Sequence, residues 1–184
     1  MYIKQIIIIF FIYFALIVPV NADEAIKAEN NAYRHNNLGL MYLDENYYFG
    51  AIKEFQIAID LLPDKQASAA FYVNLAKTYE KIGYPNLAQP CYEKAVNLNV
   101  LCFDYYLKLA ENYKANGIVE EKLSEFQNKE PYPLNDIMIG LLYVQKGDVS
   151  TGITVLDEFC NKEPNLIVTA GVRAYIDKTV KERI

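Results

Sequence analysis

The chain has one histidine, His35, and three cysteines, Cys91, Cys102 and Cys160. These are the residues best suited to metal or nucleophile chemistry, and their arrangement argues against both. A zinc site needs three or four closely spaced ligands, and these spacings fit no finger or ribbon. A serine triad would have to use His35, and no Gly-x-Ser-x-Gly turn accompanies it. The eight glycines are scattered rather than gathered into a phosphate-cradling loop. Carboxylates are plentiful, as on any helical surface, and no motif singles out an acid and a base. The expectation is a protein that binds rather than catalyses, with no cofactor and no metal; the alternative from another class is an enzyme or small-ligand carrier with a site in its groove.

Charge and leader narrow the class further. Lysine and arginine number 18 against 23 acidic residues, a net charge of −5. Such a chain is a poor nucleic-acid binder, because phosphate neutralisation needs clustered cations. Residues 6–20, IIIIFFIYFALIVPV, carry no charge over 15 positions. That is shorter than the roughly 20 residues a spanning helix needs. With Lys4 before it and small residues up to Ala22 after it, the segment reads as a signal peptide over 1–22, cleaved after Ala22. The alternative is an uncleaved anchor that tethers the same protein to a membrane. Export to a periplasm or the outside follows from the first reading. An odd number of cysteines cannot be fully paired within one chain, so all three are read as small buried apolar groups.

The elements that must position any binding residue announce themselves by repetition. Leu38-Gly39-Leu40-Met41-Tyr42, LAKTY from Leu75, LAENY from Leu109 and Ile139-Gly140-Leu141-Leu142-Tyr143 share one form. They begin 37, 34 and 30 residues apart. Large, small and tyrosine at i, i+1 and i+4 cluster on one side of a helix. Twelve residues past Gly39, Ala76 and Gly140 stand Ala51, Ala88 and Gly152. Small residues on both helices let the backbones approach. Phe55, Tyr92, Phe126 and Leu156 then fill the remaining space. Turn signals separate the two halves, and Pro63 and Pro164 follow the second helices, where they end them. A hairpin of this kind cannot bury its apolar face alone, but stacked copies share a core.

The pattern resembles the tetratricopeptide repeat, in which Leu-Gly-x-x-Tyr, then Ala, Phe, Ala and Pro recur over about 34 residues. The predicted fold is therefore an all-α solenoid of about four hairpins over 23–184. The repeats fall at 32–65, 69–102, 103–132 and 133–166, and a capping helix at 166–184 closes the array. His35 takes the packing slot of the family's tryptophan. Two features break the rule. Pro90 sits inside a predicted helix and calls for a bend or a late start. Lys122 and Lys129 occupy slots meant for small residues, so the third repeat's second helix is expected to be short and loosely packed.

The resemblance also implies a working surface. In this family the first helices line a concave groove that holds a peptide or a helix. Stepping from repeat to repeat places Asn37, Leu40, Asn74, Lys77, Lys108, Glu111, Ile137, Leu141 and Val144 along it. Some relatives clamp a chaperone's C-terminal carboxylate with Lys, Asn and Arg. Asn74 fits that pattern, but Asn36, Leu40 and Asp104 depart from it, so the clamp is not assembled. The expected partner is a protein or peptide of unknown identity. Asn74, Lys77 and Lys108 could grip an acidic or backbone group, but with Lys77 near Glu80 and Lys108 near Glu111 the preferred reading is an ordinary solvated face of mixed charge. The fourth inner helix is apolar all round and must be covered all round. The expectation is partial cover by the final helix, with the remainder left as a docking strip.

Overall fold

The computed structural model describes residues 22–63 and 66–182; the apolar leader lies outside them. Nine helices follow one another among the described residues: α1 (Ala22–Asp44), α2 (Tyr48–Leu61), α3 (Ser68–Lys81), α4 (Pro85–Leu98), α5 (Phe103–Ala115), α6 (Val119–Gln127), α7 (Asn135–Lys146), α8 (Val149–Lys162) and α9 (Ile167–Lys181). Helices pair as α1–α2, α3–α4 and α7–α8; α2 packs on α3, α4 on α5, and α5 and α6 both on α7. The all-helical repeat solenoid expected from the sequence is the architecture observed.

Each hairpin turns at one left-handed residue: Asn46 (φ 60°), Gly83 (84°), Gly117 (72°) and Gly147 (101°). Their spacing, 37, 34 and 30, repeats that of the Leu-small-x-x-Tyr motifs. Positive φ costs glycine little and asparagine less than most residues, which is why these types end the first helix of every repeat.

The small-residue slots do what their spacing implies. A Cβ on Gly39 would lie 2.6 Å from the Phe55 ring, and one on Gly140 would lie 2.6 Å from Leu156. At Gly152 it would meet the Gly140 carbonyl at 2.7 Å, so α7 and α8 nearly touch backbone to backbone. Ala51, Ala88, Phe55, Tyr92 and Leu156 are all fully buried. Burying one large apolar side chain contributes about 1.5–3 kcal/mol, and the stack sums several per repeat.

The third repeat departs from this. Helices α5 and α6 scarcely touch; α6 rests on α7 instead, and α7 moves in against α5. Helix α6 has 9 residues and Leu123 is its one buried side chain. Lys122 cannot enter the slot that Ala88 fills in the second repeat, so the third hairpin stands open.

Three expectations are corrected in whole or in part. Of the two outcomes expected at Pro90, a bend or a late start, the late start does not occur: α4 runs from Pro85, itself at the first turn, where a missing N–H costs nothing. Cys102 is only partly buried, at the N-cap of α5, whereas Cys91 and Cys160 are buried and all three are free thiols. Burial pushes the Cys91 thiol up to about 11, so it stays protonated and inert. The third correction concerns the apolar helix α7. Ile137, Met138, Leu141 and Leu142 are fully enclosed. Helices α5 and α6 cover one side and α8 the other. Ile137 and Leu141 are therefore core, and no docking strip remains there. Val144 is half-buried and lies over Gly152 inside the α7–α8 hairpin, facing away from the groove.

The final helix caps the array as expected. Val168 and Val172 are buried on α8, the Phe103 and Tyr175 rings meet at 5.5 Å, and Arg173 donates to the Cys160 carbonyl at 3.0 Å.

Candidate functional site

Leu43 of α1, Lys77, Glu80 and Lys81 of α3, Tyr92 of α4 and Lys108 of α5 surround a cleft of about 400 Å³. The cleft thus draws on three successive repeats. Lys77 and Lys81 stand one turn apart on α3, so their ammoniums share a face. Lys108 reaches the same space and pairs with Glu111 at 2.7 Å. Among the described residues, neither Lys77 nor Lys81 has an ion-pair partner.

The one carboxylate lining the cleft is held on both oxygens. Tyr92 Oη donates to Glu80 Oε2 at 2.9 Å, and Asn112 Nδ2 donates to Glu80 Oε1 at 2.9 Å. Asn112 is fully buried and also donates to the Pro85 carbonyl at 3.0 Å. Burial and the adjacent Glu80 push the Tyr92 hydroxyl well above its ordinary range, so it remains a donor at any physiological pH. This network ties the second repeat to the third. Lys77 and Lys81 thus face a cleft whose one lining carboxylate among the described residues accepts a hydrogen bond on each oxygen, while Lys108 shares its charge with Glu111.

The predicted groove residues divide into two sets. Lys77 and Lys108 converge on the cleft. Asn37 and Glu111 are exposed, and Leu40 is 36% exposed. Asn74 donates from Nδ2 to the buried Asn36 Oδ1 at 2.9 Å, so it acts first as a strut between α1 and α3. Ile137, Leu141 and Val144 do not reach the groove. His35 is no bare packing residue: its Nδ1 lies 2.6 Å from Glu54 Oε2, tying α1 to α2. Lys81 and the Tyr92–Glu80–Asn112 network escaped the sequence reading. Lys81 could have been found from its i+4 relation to Lys77; the network depends on a cross-repeat contact that no local spacing reveals.

Comparison with known proteins agrees with this architecture. Residues 69–99 match the tetratricopeptide repeat family model. None of the curated proteins matches the chain. A tetratricopeptide repeat protein from Parabacteroides merdae superimposes with a TM-score of 0.51 at 16% identity, over 83% of this chain and 61% of that one. Pseudomonas aeruginosa pilF superimposes with a TM-score of 0.50 at 17% identity, over 85% of this chain and 74% of that one. The MamA protein is similar at 22% identity over 77% and 78% of the two chains, with a TM-score of 0.48. The matched segment is the hairpin α3–α4. Residues 69–99 are thus similar to a tetratricopeptide repeat, and the fold of the chain is that of a tetratricopeptide-type α-solenoid.

Proposed function

We propose that this protein is an exported scaffold that binds an acidic segment of a partner protein in its concave cleft. The observation that carries the reading is the cleft itself. Lys77, Lys81 and Lys108 converge there, while the Glu80 carboxylate is occupied by Tyr92 and Asn112. A carboxylate-bearing peptide would meet ammoniums that lack or share a partner, beside the apolar edge of Leu43. Association of this kind makes and breaks no covalent bond. It is steered by charge and weakened by salt.

The test is fluorescence anisotropy of a labelled Asp/Glu-rich peptide against the chain and its Lys77→Glu, Lys108→Glu variant. Binding should fall at least about tenfold in the variant and decline as salt is raised. Equal binding by the variant, or equal binding of a neutral peptide, would exclude the cleft. The export part rests on the charge-free run at 6–20 and the small residues up to Ala22. N-terminal sequencing of the protein from its native host should begin at Asp23; an intact Met1 would favour the tethered alternative.

A further inference from the structure

The tips of the first two hairpins are built alike. The Tyr47 N–H donates to the Tyr42 carbonyl at 2.7 Å and the Tyr84 N–H to the Tyr79 carbonyl at 2.9 Å, each five residues back. These tyrosines are the N-caps of α2 and α4, and neither makes a side-chain cap. In the fourth repeat Asp148 holds the same place before α8, and its carboxylate accepts from the Thr151 N–H at 3.1 Å. Small oxygen-bearing side chains stabilise a helix start in this way, and an aromatic ring does not. The first two hairpins therefore forgo a bond that the fourth makes, and set a large ring at the tip instead.

Those rings stay largely outside the core. Tyr47, Phe49 and Tyr84 are each more than half exposed, Phe49 to 74%, and Leu87 is exposed close after Tyr84. Helices α1 and α3 lie side by side: the Tyr33 and Phe71 rings meet at 5.5 Å and Asn74 donates to Asn36, both pairs 38 residues apart. Tips that stand 37 residues apart therefore emerge on the same edge of the molecule, and Leu43 and Lys81, just before them, line one cleft. Large apolar side chains scattered singly over a surface are ordinary, but a group of them gathered on one edge marks a contact surface.

Charge selects the occupant. The runs 46–52 and 82–92 contain no charged residue. Asp44 and Glu45 precede the first run and Lys81 precedes the second. Asp44 and Lys81 hold equivalent places, 37 residues apart like Tyr47 and Tyr84. Both are exposed and, among the described residues, neither has an ion-pair partner. With Lys53, one turn past Phe49, residues 44–53 carry a net charge of −1, and residues 81–92 carry +1. Two neighbouring tips of like apolar build and opposite charge are complementary to one another.

We infer that this edge pairs with a second copy of the chain about a two-fold axis, the first tip of each copy resting on the second tip of the other. Tyr47 and Phe49 of each copy then meet Tyr84 and Leu87 of the other, and Asp44 meets Lys81 twice over, as a closed two-fold contact requires. Lys81 is shared between this edge and the peptide cleft; Lys77 and Lys108 belong to the cleft alone.

Sedimentation velocity of the full chain over a concentration series tests this. The native chain should pass from monomer to dimer. Tyr47→Asp, Tyr84→Asp supplies the kind of cap that Asp148 supplies, so it keeps the fold, and it should weaken self-association at least about tenfold. Asp44→Lys sets like charges against each other and should also weaken it about tenfold; adding Lys81→Asp exchanges the pair and should restore it. Lys77→Glu, Lys108→Glu should leave self-association unchanged, which separates this edge from the peptide cleft. The inference is overturned if the native chain stays monomeric up to about 1 mM, whether or not phosphatidylglycerol vesicles take it up. It is also overturned if the folded Tyr47→Asp, Tyr84→Asp chain associates like the native one, if Lys81→Asp fails to rescue Asp44→Lys, or if the cleft variant dissociates the dimer.

Discussion

The hairpins α3–α4 and α5–α6 start from nearly the same instruction. LAKTY and LAENY open them, and both first helices bury their Leu, Ala and Tyr-side surface. They diverge at one slot twelve residues past the small alanine. The second repeat has Ala88 there, fully buried, and closes. The third has Lys122 and opens, leaving a cavity of about 400 Å³ where its neighbours have packed side chains. A first helix written in good register does not make a repeat. Closure is decided by whether the second helix offers a small residue at the crossing point, since interiors tolerate neither voids nor excess volume well.

The largest expected effect comes from forcing the second hairpin to imitate the third. Ala88→Lys inserts a long cation at a position with no free volume. It should cost at least about 3 kcal/mol, combining overpacking with an unpaired buried charge. Urea denaturation measures it, and a loss below about 1 kcal/mol would show that the slot does not govern closure. Next comes Leu141→Ala on α7, where a fully buried leucine leaves a cavity. The expected loss is about 2–5 kcal/mol, with acidic-peptide binding per folded molecule unaltered. Undiminished stability would return Leu141 to the list of surface residues.

The reverse exchange is gentler. Lys122→Ala gives the third hairpin the residue its register expects and should let α6 approach α5. Stability should rise by about 0.5–1 kcal/mol, read by urea denaturation. A fall in stability would mean that the lysine's stem, rather than its absence, holds α6 in place. The smallest effect is a pH response. Hydrogen bonds from Lys122 and then Lys129 hold the Glu125 carboxyl below its ordinary value of 4.5. Because its folded value is depressed, the stabilisation is complete at neutral pH and is lost as pH falls below the ordinary glutamate range through the folded value. Glu125 is well exposed, so the response is local: hydrogen exchange in α6 should quicken in acid before that in α4, and Glu125→Gln should remove the difference.

Much of this architecture is legible in the residues alone. The 37-, 34- and 30-residue spacings reappear in the positive-φ residues at the hairpin turns, because motif and turn are fixed to the same helix. The misfit of Lys122 and Lys129 is equally visible, since local register shows where a small residue is missing. What could not be read is where the displaced helix goes. That α6 leaves α5 for α7 depends on contacts between repeats. The burial of Ile137 and Leu141 depends on the same cause, because an apolar helix shows only that it must be covered and not by what. The groove is intermediate. Lys77 and Lys108 follow from stepping along inner helices, but the hydrogen bonds that hold Glu80 require Tyr92 and Asn112 to arrive from two other helices.

Native-state hydrogen exchange read by mass spectrometry compares the two hairpins directly. The account predicts that amides of 119–127 in α6 exchange markedly faster than those of 85–98 in α4, and that Lys122→Ala narrows the gap. Equal protection of the two helices in the unaltered protein would contradict it.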